Sequence, residues 1–234
     1  MIKNKILIYH HLGLGDCIEC NGMVRFYCEK YQEVEILCKD KYYEMVEYMY
    51  RDLSNLKIHV VAHEQEHQQA RSIISKFDGE ILIPGHANYF NNIQKFKNKK
   101  YGPAESFYEL ASVPWSYRNQ KFYFERDPVK EQDVYNKMNP ENEKYVFVHD
   151  DIQRGFHIPL KSPYKIIRND NTVNMLDMIK LFEKAEEIHC MSSSILCLID
   201  CLSAKVNFPK LFLHNSIRSV PLGPDSLQAE WKII

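Results

Sequence analysis

A chain of 234 residues with 45% hydrophobic and 26% charged side chains, rich in Tyr and Phe, has the make-up of a globular protein whose core needs no covalent staples. Thirty Lys plus Arg against 31 Asp plus Glu leave a formal net charge of -1, which gives no field to hold a polyanion and argues against nucleic acid as a partner. The opening run MIKNKILIYHHLGLGD is too short in its apolar part to span a membrane and lacks a small-residue cleavage site, so a cytoplasmic protein without a membrane span is expected.

In chain order, Lys5 to Tyr9 predicts a first strand, and Cys17, Cys20, Val24, Tyr27, Cys28 and Tyr31 recur at helical spacing after a glycine loop. The alternation continues as strand Glu33 to Cys38, helix Asp40 to Tyr50, strand Leu56 to Ala62, helix Glu64 to Phe77 and strand Glu80 to Ile83. Strands separated by helices imply parallel crossovers. After Pro84-Gly85 the pattern loosens, with a helix predicted at Glu105 to Ala111 and a strand at Lys121 to Phe124. A second, shorter α/β unit follows: strand Tyr145 to His149, helix Val173 to Ala185, strand Glu187 to Met191, helix Ser193 to Ser203 and strand Leu211 to His214. The charged stretch Asp127 to Glu143, ending in Asn139-Pro140-Glu141-Asn142, predicts a linker. The expected organisation is therefore a Rossmann-like domain over 1–126, a linker over 127–143 and a second Rossmann-like domain over 144–234, facing one another across a cleft.

Ligands of open α/β sheets bind beyond the carboxyl ends of the strands, so the loops that follow strands carry the argument. His10 to Asp16 is the first such loop. Gly13 and Gly15 allow close backbone approach to a ligand, and Asp16 at the helix start suits either a cap or a general base. The third glycine of a dinucleotide fingerprint is absent, with Ile18 in its place, which weakens an oxidoreductase reading. Val148 to Phe156 follows a strand of the second unit and holds His149, Arg154 for bidentate phosphate contact, and Asp150-Asp151, which in an alternative reading bind a metal. Ser192, Ser193 and Ser194 open an apolar helix, where hydroxyls and free amides serve either as a cap or as a diphosphate site. His86 and Glu105 are weaker candidates for acceptor contacts. Lys95, Lys97, Lys99 and Lys100 read as a solvated helix end, or as a surface for an anionic acceptor. Cys17 and Cys20 with His10 and His11 invite a zinc reading, but the cysteines fall on one helical face and read as reduced, buried thiols.

The segment KILIYHHLGLGDCIECNGMVR resembles the N-terminal strand, glycine-aspartate turn and helix of heptosyltransferase-like enzymes of the two-domain, metal-independent GT-B glycosyltransferase class, and NMLDMIKLFEKAEEIHCMSSSILCLIDCL resembles their donor-binding helix, strand, turn and helix. The resemblance implies that Asp16 is the catalytic base and that Ser192, Ser193 and Ser194 face the donor. VHDDIQRGF is similar to the donor loop of fucosyltransferases, which implies that Arg154 contacts a diphosphate, although Asp150-Asp151 stand where that loop is basic. The implied activity is an inverting transfer of a sugar from a nucleoside-diphosphate sugar to a hydroxyl of a glycan or other acceptor, with no cofactor. A non-catalytic nucleotide- or sugar-binding protein is the alternative, and a metal-dependent transferase using Asp150-Asp151 a further one.

Overall fold

The computed structural model describes residues 3–85, 103–218 and 226–234. Two compact units divide the chain between Glu125 and Arg126. Each holds its own parallel sheet.

In the first unit the strands are β1 (Lys3–Ile8), β2 (Tyr31–Lys39), β3 (Leu56–Val61) and β4 (Glu80–Leu82), in the order β3-β2-β1-β4. Ile6 pairs with Val34 on one side and Glu80 on the other. The central strands are continuous apolar runs, as a sheet covered on both faces requires, and Ile6, Leu7, Ile8, Ile36 and Leu37 are wholly buried. Leu7, Leu12, Leu37, Val61 and Ala70 form one cluster, against which helix α4 (Glu66–Lys76) lays Ile73 and Ile74.

The single helix predicted from Cys17 is two: α1 (Leu14–Glu19) and α2 (Asn21–Cys28), separated at Cys20. Helix α3 (Tyr43–Tyr50) follows a 3-10 turn over Asp40–Tyr42, and α5 (Pro103–Leu110) and α6 (Tyr117–Gln120) complete the described helices of this unit. The strand predicted at Lys121 to Phe124 is not one. Phe122 and Phe124 are buried and Tyr123 is exposed, so the alternation is real, but side chains of α2 take the place of a partner strand. The Tyr123 amide donates to Asn21 Oδ1 at 3.0 Å, and its carbonyl accepts from Asn21 Nδ2 at 3.0 Å and Arg25 Nε at 2.9 Å. With its polar groups satisfied in this way, the extended segment needs no sheet.

The second unit orders its strands β6-β5-β7-β8-β9, all parallel: β5 (Tyr145–His149), β6 (Lys165–Arg168), β7 (Glu187–Cys190), β8 (Lys210–Leu213) and β9 (Trp231–Ile233). The stretch predicted as a linker contains helix α7 (Pro128–Met138). Its start has the expected chemistry, with Pro128 in the first turn and the Asp127 carboxylate accepting from the amides of Val129 and Lys130. Arg126 ties α7 down by pairing with Glu131 and Glu183. The expected helix over Val173 to Ala185 is a 3-10 turn (Met175–Met178) running into α8 (Ile179–Lys184). Helix α9 (Ser194–Leu202) buries Asp200, whose carboxylate accepts from the amides of Gln228 and Ala229 and from the Trp231 indole, fixing the segment that forms β9. Neither β6 (Lys165–Arg168) nor β9 (Trp231–Ile233) is among the strands expected from the sequence.

All seven cysteines are free thiols, five of them buried. Among the described residues no helix is long and apolar enough to cross a membrane.

Candidate functional site

Strand order locates the switch point of each sheet. In the first, β2 and β3 step outward on one side of β1 and β4 lies on its other side; in the second, β6 flanks one side of β5 and β7 to β9 continue on the other. Where successive connections diverge in this way, a crevice opens beyond the carboxyl ends of the adjacent strands. Those strands are β1 with β4, and β5 with β7.

Beyond β1 lies the loop His10 to Gly13, leading into α1 with Asp16 in its first turn. The Asp16 carboxylate folds back over Gly13, where a Cβ would come within 2.4 Å of Asp16 Oδ2. The open side of Gly13 therefore makes room for the acid. His11 Nδ1 donates to Asp16 Oδ2 at 2.6 Å, and both side chains are partly exposed, at 37% and 29%. Asp16 is thus oriented by a neighbouring imidazole while keeping access to solvent, a geometry suited to accepting a proton. Gly15 lies inside α1. From the β4 side, Gly85 presses on the loop so closely that a Cβ would sit 2.6 Å from the His11 nitrogen. Sequence reading did not single out His11 as the partner of Asp16, although a spacing of five residues across a tight turn permits the pairing.

Glu105 is in the first turn of α5. His86 and the lysines at 95, 97, 99 and 100 lie outside the described residues.

In the second unit His149 ends β5, opposite Cys190 of β7, and its carbonyl accepts from the Met191 amide at 3.2 Å. The serine turn is therefore next to His149. Burial holds the His149 imidazole down at about 4, so it is neutral at physiological pH, and its Nδ1 is buried with no hydrogen-bond partner among the described residues. Ser193 caps α9, its Oγ accepting from the Leu196 amide at 3.3 Å. Ser192 is buried and Ser194 partly exposed. Ser193 thus serves as the N-cap of α9, with Ser192 and Ser194 on either side of it.

Arg218, which the sequence reading did not single out, donates to the Ser192 carbonyl at 3.1 Å and lies over the Phe156 ring at 5.9 Å. Arg154 approaches the same ring at 5.7 Å. It is 61% exposed and pairs with Asp151 at 3.4 Å. Gly155, with φ of 81°, closes the turn that carries it. Two guanidinium groups thus share one aromatic ring beside the serine turn.

Asp150 and Asp151 are occupied. Asp150 is buried and its Oδ2 accepts from the Ile158 amide at 3.0 Å, from His157 Nδ1 at 3.0 Å and from the Arg168 guanidinium. Asp151 accepts from the Arg154 amide. Both carboxylates shape the loop, and among the described residues no group of three or more His, Cys, Asp or Glu side chains is placed to hold a metal ion. Cys17 and Cys20 are buried free thiols, and the neighbouring Cys38 thiol together with burial pushes Cys17 well above its ordinary range.

No family model matches the chain, and no curated protein matches it by sequence. Solved structures do match by fold. A glycosyl transferase family 9 protein from Veillonella parvula superposes with a TM-score of 0.60 at 11% identity, covering 98% of this chain and 85% of that one. ADP-heptose LPS heptosyltransferase II of E. coli gives 0.57 at 9% identity, covering 98% and 90%. The iron-containing dodecameric glycosyltransferase TibC of enterotoxigenic E. coli gives 0.54 at 11% identity, covering 91% of this chain and 58% of that one. The chain has a glycosyltransferase-like fold.

Proposed function

We propose that the protein is a glycosyltransferase that moves a sugar from a nucleoside-diphosphate sugar to an acceptor hydroxyl, with inversion and without a metal. The observation that carries this reading is the position of Asp16, held by His11 at the β1 switch point of a chain that shares its fold with glycosyltransferases over 98% of its length. The second unit supplies what a leaving diphosphate needs: Arg218, Arg154, Ser192, Ser194 and the free amides at the start of α9, beside neutral His149.

In the reaction, the acceptor O–H gives its proton to the Asp16 carboxylate as the oxygen bonds to the anomeric carbon. The bond from that carbon to the diphosphate oxygen breaks, and its electron pair leaves with the nucleoside diphosphate. A single displacement inverts the carbon. The developing negative charge falls on the two guanidinium groups and the amides, which need no reorganisation to receive it. Engagement of Asp150 and Asp151 by Arg168, His157 and Arg154 supports charge neutralisation by arginine in place of a metal.

A thermal-shift screen of UDP, GDP, ADP and CMP with their sugars identifies the donor, since a bound nucleotide raises the melting temperature. Transfer or slow hydrolysis of that donor in the presence of EDTA is the expected result. Saturable binding with no turnover on any acceptor would reduce the protein to a binding module, and loss of binding in EDTA would return the metal to Asp150-Asp151.

A further inference from the structure

A cavity of about 120 Å³ opens beside the Asp16 loop, lined by Tyr9, His10, His11, Lys39, Glu66 and His67 from the ends of β1 and β2 and the start of α4. Two of its polar atoms are buried with no hydrogen-bond partner among the described residues: His10 Nε2 and Glu66 Oε2. Buried polar atoms are normally satisfied, so a pair of exceptions on one cavity points to something that belongs there.

Their chemistry says what. His10 Nδ1 donates to the His11 carbonyl at 2.6 Å, and burial favours the neutral ring, which leaves Nε2 with a lone pair and no hydrogen. Glu66 Oε1 is 2.9 Å from the Lys39 ammonium, which together with the backbone amides of Glu66 and Glu64 holds the carboxyl down at about 2, so the carboxylate is ionised and Oε2 is also an acceptor. The occupant must present two donors. An anion offers none, and a cation would meet the Lys39 ammonium already seated on Glu66. A hydroxyl-bearing molecule fits, since each hydroxyl gives one hydrogen and keeps lone pairs for donors such as Lys39 or the Tyr9 hydroxyl, which lies 3.2 Å from His67 Nδ1. The volume equals that of about four waters and is well short of the roughly 300 Å³ of a whole-ligand pocket, so it takes one edge of a sugar ring.

We propose that this cavity is a hydroxyl-binding subsite for the acceptor sugar, in which His10 Nε2 and Glu66 Oε2 each accept a hydrogen bond from a ring hydroxyl. The proposal rests on the transferase reading for the word acceptor. His11 lines the cavity and also orients Asp16, so a sugar seated there lies beside the proposed base. His10 and Glu66 are positioning and specificity groups.

The test is saturation-transfer NMR of the full chain with methyl gluco-, galacto- and mannopyranoside and their monodeoxy analogues, without nucleotide, on wild type, Glu66→Gln and His10→Asn. Asn keeps a donor for the His11 carbonyl and removes the Nε2 lone pair; melting curves check that both variants fold, and Glu66→Gln alone decides the matter if His10→Asn does not. At least one hexoside is expected to saturate wild type and to weaken roughly 10- to 100-fold in Glu66→Gln, the scale of one hydrogen bond to a charged group. The deoxy analogue lacking the contacted hydroxyl should bind wild type and Glu66→Gln alike, a pattern that a merely structural role for Glu66 would not produce. Absence of saturation by every hexoside, or equal affinity in wild type and Glu66→Gln, means a cavity for water only and overturns the proposal. Hexoside binding that depends on Glu66 in a chain that never transfers keeps the subsite and removes the transferase reading; transfer with an acceptor KM unchanged in Glu66→Gln does the reverse.

Discussion

The two switch points use one architectural plan for opposite electrostatic ends. At β1 and β4 the loop presents an acid, Asp16, backed by a histidine, while the nearby ammonium of Lys39 is neutralised by Glu66. At β5 and β7 the acids are the neutralised groups, with Asp150 bound by Arg168 and His157 and Asp151 paired with Arg154, and Arg218 stands at the serine turn. On the proposed reading, the first end takes a proton and the second receives negative charge. The difference teaches that the same parallel-sheet plan can present opposite charge at its two switch points, and that local pairing of charges decides which.

The largest expected effect is on the proton-accepting end. Asp16→Asn keeps the shape and the bond from His11 but cannot take a proton, so turnover with the identified donor should fall about 10²- to 10⁴-fold. A near wild-type rate would make Asp16 a first-turn acid of α1 and nothing more.

The second effect concerns stability at the other end. Burial lowers His149 to about 4 from an ordinary 6.5, so between those values the unfolded chain binds a proton that the folded chain refuses. The stability contributed by the neutral ring is complete above pH 6.5 and is lost as pH falls towards 4, by roughly 3 kcal/mol over that window. His10, His189 and His214 are lowered by burial as well and act in the same direction. Urea unfolding of wild type and His149→Gln from pH 7 to pH 4 should show a shallower acid loss in the variant; parallel curves would mean that His149 is solvated in the native state.

Smaller still are the arginine effects, and they rank the two guanidinium groups. Arg218 is partly buried and hydrogen-bonded to the serine turn, so Arg218→Ala should weaken nucleoside diphosphate binding roughly 10- to 100-fold. Arg154 is largely exposed and already paired, so Arg154→Ala should cost less than about tenfold, in line with the modest worth of an exposed ion pair. Calorimetry giving the reverse order would put the phosphates on the 3-10 turn instead of the serine turn.

Much of this fold was legible because it is local. Strands β1, β2, β3, β5, β7 and β8 are apolar runs punctuated by helical spacing, and the structure has them within a few residues of expectation. What escaped depends on contacts distant in the chain. Nothing in Lys121 to Phe124 announces that Asn21 and Arg25 will serve as its partner, and nothing in Trp231 to Ile233 says that buried Asp200 will gather it into the sheet. The helix start at Asp127-Pro128, inside the stretch whose composition predicts a linker, has a capping signature that composition does not show. For the candidate site, the places of Asp16, His149 and the serine turn at strand ends are legible because strand-loop-helix order is readable. Arg218 and Glu66 were not, since each reaches its place through folding of segments with no pattern of their own. His86 stays outside the described residues.

The central claim is that the two units divide the labour, the first acting on turnover and the second on donor binding. Isothermal titration of the nucleoside diphosphate into wild type, Asp16→Asn, Arg218→Ala and the double variant tests it most directly. The expected result is that Asp16→Asn binds as wild type does, and that the double variant binds as Arg218→Ala does, roughly 10- to 100-fold weaker, with no coupling between the sites. A nucleotide affinity that falls in Asp16→Asn, or that is unmoved in Arg218→Ala, would contradict the account.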